Sequence, residues 1–206
     1  MGFYEKHLLP PLLNLAMGAK PIRYQRKKVV PLAEGRVLEI GIGAGHNLAF
    51  YDSARVSKVI GLEPSPEMRE RAKKAAAETK LDIEFIALKA EEIPLDNQSV
   101  DTVLVTYTLC TIPDVMTALR GMRRVLKTSG TLIFCEHGEA PDEGVRRWQK
   151  RLDPIWNVIG GGCHLARPIP KLIGESGFAI QKLDTMYLPG TPRFAGYNYW
   201  GTAKIA

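Results

Sequence analysis

From Arg36 onward, short apolar runs alternate with stretches of helical spacing. Arg36 to Ile40 and Lys58 to Glu63 are runs in which apolar residues follow one another almost unbroken, the pattern of strands buried on both faces. Pro64 to Lys80 has helical spacing, with Pro66 suited to a first turn and Met68, Ala72 and either Ala75 or Ala76 on the inner face. Asp82 to Leu88, Val100 to Tyr107 and Thr131 to Glu136 read as three further strands, with a helix at Val115 to Leu126 before the last. Arg146 to Val158 is helical in spacing but is expected to break at Pro154, and Gly160-Gly161-Gly162 stops it. A helix at Pro168 to Glu175 ends at Gly177, and Phe178 to Leu188 and Tyr197 to Ile205 alternate as two strands around a Pro/Gly loop. Strand–helix repeats imply a parallel sheet with helices on both faces, and the terminal pair adds an antiparallel hairpin.

Residues 1–34 stand outside this alternation. Leu8, Leu9, Leu12, Leu13, Leu15, Ala16 and Met17 form an apolar stretch, followed by Lys20, Arg23, Arg26, Lys27 and Lys28. Two readings are open. Either two helices lie over the sheet edge with their charges solvated, or the segment is a lid over the active site that also meets an anionic lipid surface. The chain divides into this N-terminal part, a core at 36–137, and helices with a hairpin at 138–206, all within one domain.

Composition narrows the picture only mildly. The 206 residues are 45% hydrophobic and 24% charged, enough for one substantial core. A net charge of +6 favours anionic partners, but the basic residues are scattered and not interleaved with aromatics, so no nucleic acid is expected. Cys110, Cys135 and Cys163 are odd in number and widely spaced, which suggests neither a disulfide framework nor a metal site and fits a reducing, cytoplasmic setting. No run reaches the roughly 18 apolar residues of a spanning helix.

The chemistry concentrates at Val37-Leu-Glu-Ile-Gly-Ile-Gly-Ala-Gly-His-Asn47, a strand running into glycines at alternate positions, with His46 to Tyr51 expected to open a helix. Glycine lets the backbone turn sharply and approach a ligand closely. In the dinucleotide fingerprint G-x-G-x-x-G the third position is here His46, and Glu39 places an anion near the turn; both disfavour a pyrophosphate and hence a nicotinamide oxidoreductase. In an open parallel sheet, ligands bind outside the carboxyl ends of the strands. Those ends are Gly41 to Gly45, Glu63, Lys89 to Glu92, Thr106 to Cys110, and Glu136 with His137.

The motif E-x-G-x-G-x-G after a strand resembles the first motif of class I S-adenosylmethionine (SAM) methyltransferases. Glu63, 18 residues beyond Gly45, stands where such a family places a carboxylate on the ribose hydroxyls. Ala90-Glu91-Glu92-Ile93-Pro94 resembles the adenine loop of ubiquinone and menaquinone C-methyltransferases, with Lys89 where an aspartate is usual. Val100-Asp101-Thr-Val through Pro113-Asp114, and Arg124-Val-Leu-Lys through Gly130, resemble the fourth-strand segment and the helix–turn–strand after it. The resemblance implies a doubly wound, Rossmann-like, seven-stranded methyltransferase sheet, mostly parallel with a C-terminal antiparallel hairpin. It implies SAM as cofactor, released as S-adenosylhomocysteine, held by Glu39, Gly41, Gly43, Gly45, Asn47, Glu63, Pro64, Met68, Ala90, Glu91, Thr106 and Tyr107.

Beyond the core, Glu136-His137, Leu152-Asp-Pro-x-Trp156, Gly162-Cys163 and Leu165-x-Arg167 look like the family that methylates alkyl thiols, with bacterial phospholipid N-methyltransferases nearby. A small hydrophobic or lipid-like thiol or amine is the acceptor this implies; a quinol, or SAM binding without catalysis, are the alternatives. His137, at a strand's carboxyl end, is the candidate base, or else simply closes the strand–loop junction. Asp153 either orients it or binds substrate, or acts as a turn residue before Pro154. Tyr4 and Trp156 are candidates for the acceptor wall.

Overall fold

The computed structural model describes residues 9–206. Seven strands form one sheet in the order β3 (Ile83–Ile86), β2 (Val56–Leu62), β1 (Gly35–Ile40), β4 (Val100–Thr106), β5 (Leu126–His137), β7 (Tyr197–Ile205) and β6 (Phe178–Tyr187). The first five are parallel; β7 runs antiparallel to both β5 and β6. This is the sheet expected from the alternation and the terminal hairpin. β6, an outer strand, is interrupted by a register shift between Ile180 and Lys182.

Both faces of the sheet are buried, which is why its strands lack polar alternation. Leu38, Ile60, Val103, Leu132 and Phe134 pack under α4 (Val115–Val125) and α6 (Ile169–Glu175). Val37, Val59, Leu104, Ile133 and Cys135 face the other way, against Val29, Val30 and Ala33, which follow and end α2 (Lys20–Val29), and against Ala75 and Ala76 of α3 (Pro66–Ala76). Of the two N-terminal helices, α1 (Leu9–Met17) and α2, the second therefore does not sit at the sheet edge; its end covers a sheet face.

That face is open to α2 because the expected helix after the glycine turn does not form. Only a single 3-10 turn, Leu48–Phe50, follows it. β1 has six residues, about 20 Å at ~3.3 Å per residue. An α-helix at ~1.5 Å per residue needs about 13 residues to return that distance, whereas after the turn at 41–47 only residues 48–55 remain before Val56. A second correction concerns Pro154: α5 (Glu143–Ile159) runs straight through it. The carbonyl a helix-internal proline leaves unpaired is that of Lys150, which is exposed, so solvent can satisfy it. A short helix α7 (Arg193–Gly196) lies in the loop between β6 and β7.

Candidate active site

The carboxyl ends of β1, β2, β4 and β5 open into two adjoining clefts. One, of about 190 Å³, is lined by Arg26, Gly43, Thr106, Tyr107, His137 and Cys163 among others. The other, of about 400 Å³, is lined by Pro64, Lys89, Ala90, Glu91 and Ile112. Gly41, Glu63, Thr108 and Thr111 line both, so the two form one elongated site bent around the glycine turn.

At Gly41 the backbone has φ +66°, and a Cβ would fall 2.5 Å from the Thr108 side chain. Gly43, at φ +56°, has nothing nearer its missing Cβ than 3.8 Å, so its peptide faces open cleft. Glu63 ties this turn to the next strand end. Its Oε2 accepts from Gly43 N at 3.2 Å and its Oε1 from Ser65 N at 2.9 Å. Burial pushes its carboxyl pKa upward, against those two bonds. A carboxylate has about four acceptor positions, so capacity remains for a vicinal diol. Glu63→Ala is therefore expected to weaken SAM binding by about 1.5–3 kcal/mol, roughly 10- to 150-fold. Calorimetric titration on the folded variant checks it; an unchanged Kd would place the ribose elsewhere.

Behind the turn lies a buried polar network. Arg26 Nη1 donates to Asn47 Oδ1 at 2.6 Å and to Thr106 Oγ1 at 2.7 Å, and its guanidinium stacks 5.4 Å from the Tyr107 ring centre. Asn47 Nδ2 and the Tyr51 hydroxyl donate to the two oxygens of Glu39 at 2.8 and 2.7 Å. Glu39 and Asn47 are almost fully buried and line neither cleft. They stand behind the wall, where Asn47 Nδ2 also reaches Thr106 Oγ1 at 3.0 Å and ties the turn to β4. Gly45 packs against Ala72 and Ala75 of α3 and opens on a neighbouring hollow instead. Met68 lines the smaller cleft and Pro64 the larger, as expected of their place after β2.

Burial pushes Glu39 up to about 7, against the hydrogen bonds from Tyr51 and Asn47 and the charge of Arg26. A carboxyl whose folded pKa exceeds its unfolded value stabilises the protein at low pH, and that contribution is lost as pH rises through the folded pKa. Between the ordinary carboxyl value of 4.5 and about 7, the loss amounts to at most about 3 kcal/mol. Glu39→Gln keeps an acceptor for Asn47 and turns an amide donor toward Tyr51, whose hydroxyl can accept it, and should remove this part of the pH dependence. Urea midpoints at pH 5 and pH 8 test it: the wild-type drop should shrink in the variant, and equal drops would refute the assignment.

The segment after β4 is pinned on all sides. Tyr107 is held at φ +53°, a costly conformation for a non-glycine residue, with its hydroxyl donating to Asn198 Oδ1 at 2.7 Å. Glu136 Oε1 accepts from Thr108 N and Leu109 N at 2.8 and 3.0 Å, and Arg167 Nη1 donates to the carbonyls of Leu109 and Ile112. At the end of β5, His137 Nε2 lies 3.1 Å from Cys163 Sγ, which also accepts from Trp156 Nε1 at 3.4 Å. Cys163 is lowered toward the thiolate by its hydrogen bond with Cys110, burial opposing and His137 assisting; Cys110 is raised in turn. Burial opposes the charge on His137, but the bond to Cys163 and that group's charge outweigh it and its pKa rises.

Asp153 does not orient His137. Its Oδ2 lies 2.9 Å from His164 Nδ1 and its Oδ1 accepts from Leu165 N at 2.6 Å, so it braces the outer side of the loop after α5. Trp156 lines neither cleft; its ring packs edge-on to Phe194 at 6.0 Å, and it reaches the site only through its bond to Cys163. His46 lines the cleft but opens no helix. Tyr4 lies outside the described residues. The reading of the sequence missed Arg26, hidden in a basic run, and the approach of Cys163 to His137. The Gly160-Gly161-Gly162 run was the available signal for the latter, since Gly161 and Gly162 adopt φ +61° and +88° to bring Cys163 inward.

Residues 38–134 match the methyltransferase domain family. The chain is 34% identical over 172 residues to the thiol S-methyltransferase TMT1B of Rattus norvegicus, covering 79% of this chain and 70% of that protein. It is 31% identical over 205 residues to TMT1B of Homo sapiens, covering 94% of this chain and 83% of that one. Among solved structures, a S-adenosylmethionine dependent methyltransferase from Mesorhizobium loti superposes with a TM-score of 0.68 at 20% identity, over 91% of this chain and 98% of that one.

Proposed function

The chain belongs to the class I SAM-dependent methyltransferases, and on that premise we propose that it methylates the sulfur of a small, apolar thiol. One observation carries the choice of acceptor. Among the described residues lining the smaller cleft, the one carboxylate is Glu63, at the ribose end. Glu136 lines neither cleft and Asp153 is bound to His164, so an ammonium head group finds no carboxylate beside His137. Cys110, Cys163, Met17 and Met68 give that cleft a sulfur-rich, weakly polar wall, which suits a thiol.

The residues present fit the cofactor. Arg26 has a buried Nε without a partner and forms no ion pair among the described residues, the arrangement of a guanidinium waiting for a carboxylate. We assign it to the carboxylate of the methionine moiety, Glu63 to the ribose, Gly41 and Gly43 to close backbone approach, and Ala90 and Glu91 to the adenine. Thr106 and Tyr107 wall the methionine end. When bound, SAM supplies an electrophilic methyl on a sulfonium. The chain's task is then to align the acceptor in line with it, exclude water, and hold the acceptor's sulfur deprotonated. His137 and Cys163 are the groups placed to do the last.

No helix among the described residues is long and apolar enough to cross a membrane. Exposed Leu12 and Leu15 on α1, and Ile155 and Val158 on α5, accompany nearby basic residues, which supports peripheral contact with an anionic membrane as the route to an apolar acceptor. Free thiols at Cys110, Cys135 and Cys163 support a reducing, cytoplasmic setting. The acceptor is tested by offering alkyl thiols, phosphatidylethanolamine and a quinol with labelled SAM. Label should pass to the thiol as a thioether; transfer only to the amine or the quinol would overturn the reading.

A further inference from the structure

Three soft ligands meet on the acceptor side of the cleft although nothing in their spacing announces it. Cys110 comes from the segment after β4, His137 from the end of β5, and Cys163 from the loop after α5. Their Sγ, imidazole nitrogen and Sγ atoms all lie within 4.8 Å of one another. Ligand atoms around a tetrahedral zinc ion are roughly 3.5–3.8 Å apart, given Zn–S near 2.3 Å and Zn–N near 2.0 Å, so the cluster needs only small adjustments to close on an ion.

The surroundings are built to hold it. His164 N donates to Cys110 O at 2.9 Å, locking the loop of Cys163 to that of Cys110. Trp156 Nε1 donates to Cys163 Sγ, a hydrogen bond that orients the sulfur from behind. The Arg167 guanidinium, fixed by Leu109 O and Ile112 O, supplies positive charge to both cysteines. All three ligands line the cleft that also holds Thr106 and Tyr107.

We propose that Cys110, His137 and Cys163 form a three-ligand site for zinc, whose open fourth position faces the cleft and takes the sulfur of the acceptor thiol. Two sulfurs and an imidazole are the donor set that selects such a soft-tolerant ion, and three protein ligands with one open position are the pattern of a catalytic and not a structural zinc site. The proposal rests on the thiol reading and states how the thiol is activated. On coordination the acceptor loses its S–H proton to solvent. Its sulfur lone pair then forms the new S–CH3 bond as the methyl–sulfonium bond breaks. That bond's electron pair remains on the cofactor's sulfur, and the neutral thioether, a weaker ligand, leaves the metal.

The test uses tag-free, full-length protein, reduced with a phosphine under anaerobic conditions and freed of metal by chelation. Titration with Co2+ should give one equivalent of tetrahedral d–d bands with thiolate-to-metal charge transfer. Cys110→Ser and Cys163→Ser should each weaken that binding at least tenfold while the folded variants still bind SAM, and an added alkyl thiol should shift the bands. Zinc-loaded protein should then methylate the thiol at least tenfold faster than metal-free protein. Absence of stoichiometric Co2+ binding, or binding indifferent to both serine variants, overturns the site. Equal thiol methylation with and without zinc overturns the coordination role and leaves the thiol reading standing. Cobalt bands and SAM binding without thiol methylation in either form overturn the thiol reading itself, and the acceptor role with it.

Discussion

Replacing Arg26 with alanine is expected to weaken SAM binding by at least about 3 kcal/mol, more than 100-fold, because truncating one partner of a buried, hydrogen-bonded charge pair typically costs 2–5 kcal/mol. Arg26 is 5% exposed and its Nη1 holds Asn47 and Thr106 together. Alanine therefore removes both the proposed carboxylate partner and the brace between the glycine turn and β4. These two losses separate with Arg26→Lys, which keeps the charge but not the fork. Titration with SAM and with decarboxylated SAM distinguishes them further. Wild type should prefer the carboxylate-bearing form strongly, and the alanine variant should not. A variant that retains the preference would show that the carboxylate binds elsewhere.

Removing residues 1–18 is expected to leave SAM binding within a few-fold of wild type and to lower methyl transfer about 100-fold or more, the scale at which a small misplacement of reacting groups registers. Two described residues of α1 reach the site. Met17 lines the smaller cleft, and Leu9 Cδ2 lies 2.6 Å from where a Cβ on Gly161 would stand, against the loop that carries Cys163. Without α1 that loop loses its cover and the cleft is open to water. α2 starts at Lys20 and remains to hold Arg26 in place. Both quantities are measured on one preparation; full transfer activity after truncation would show that α1 takes no part in the acceptor site.

The sheet was legible because burial on both faces leaves a physical imprint on sequence: unbroken runs such as Val103-Leu104-Val105 admit little besides a central strand. The strand ends followed from topology, so Glu63, Ala90, Thr106 and His137 could be gathered before any coordinates. What escaped was decided by distance in space. Arg26 sits among four other basic residues, and no local pattern separates the one that is buried from those that are solvated. Asp153 was near His137 in the fold but nearer His164, and hydrogen-bond choice at that scale is not encoded by spacing. The absent helix after Gly45 could have been foreseen from chain length alone, by counting the residues left before Val56.

The place of β7 has a consequence for synthesis. Residues 197–205 lie between β5 and β6, and His137 pairs with Asn198, whose side chain receives the Tyr107 hydroxyl. On the ribosome, domains begin to fold from the N-terminal side as the chain emerges. Here the five parallel strands can assemble early, yet the backbone at His137 and the strained turn at Tyr107 lack their partner until residue 198 is free of the exit tunnel. A nascent chain stalled after β6 should already resist protease over the glycine turn, and remain cleavable around Tyr107 and His137.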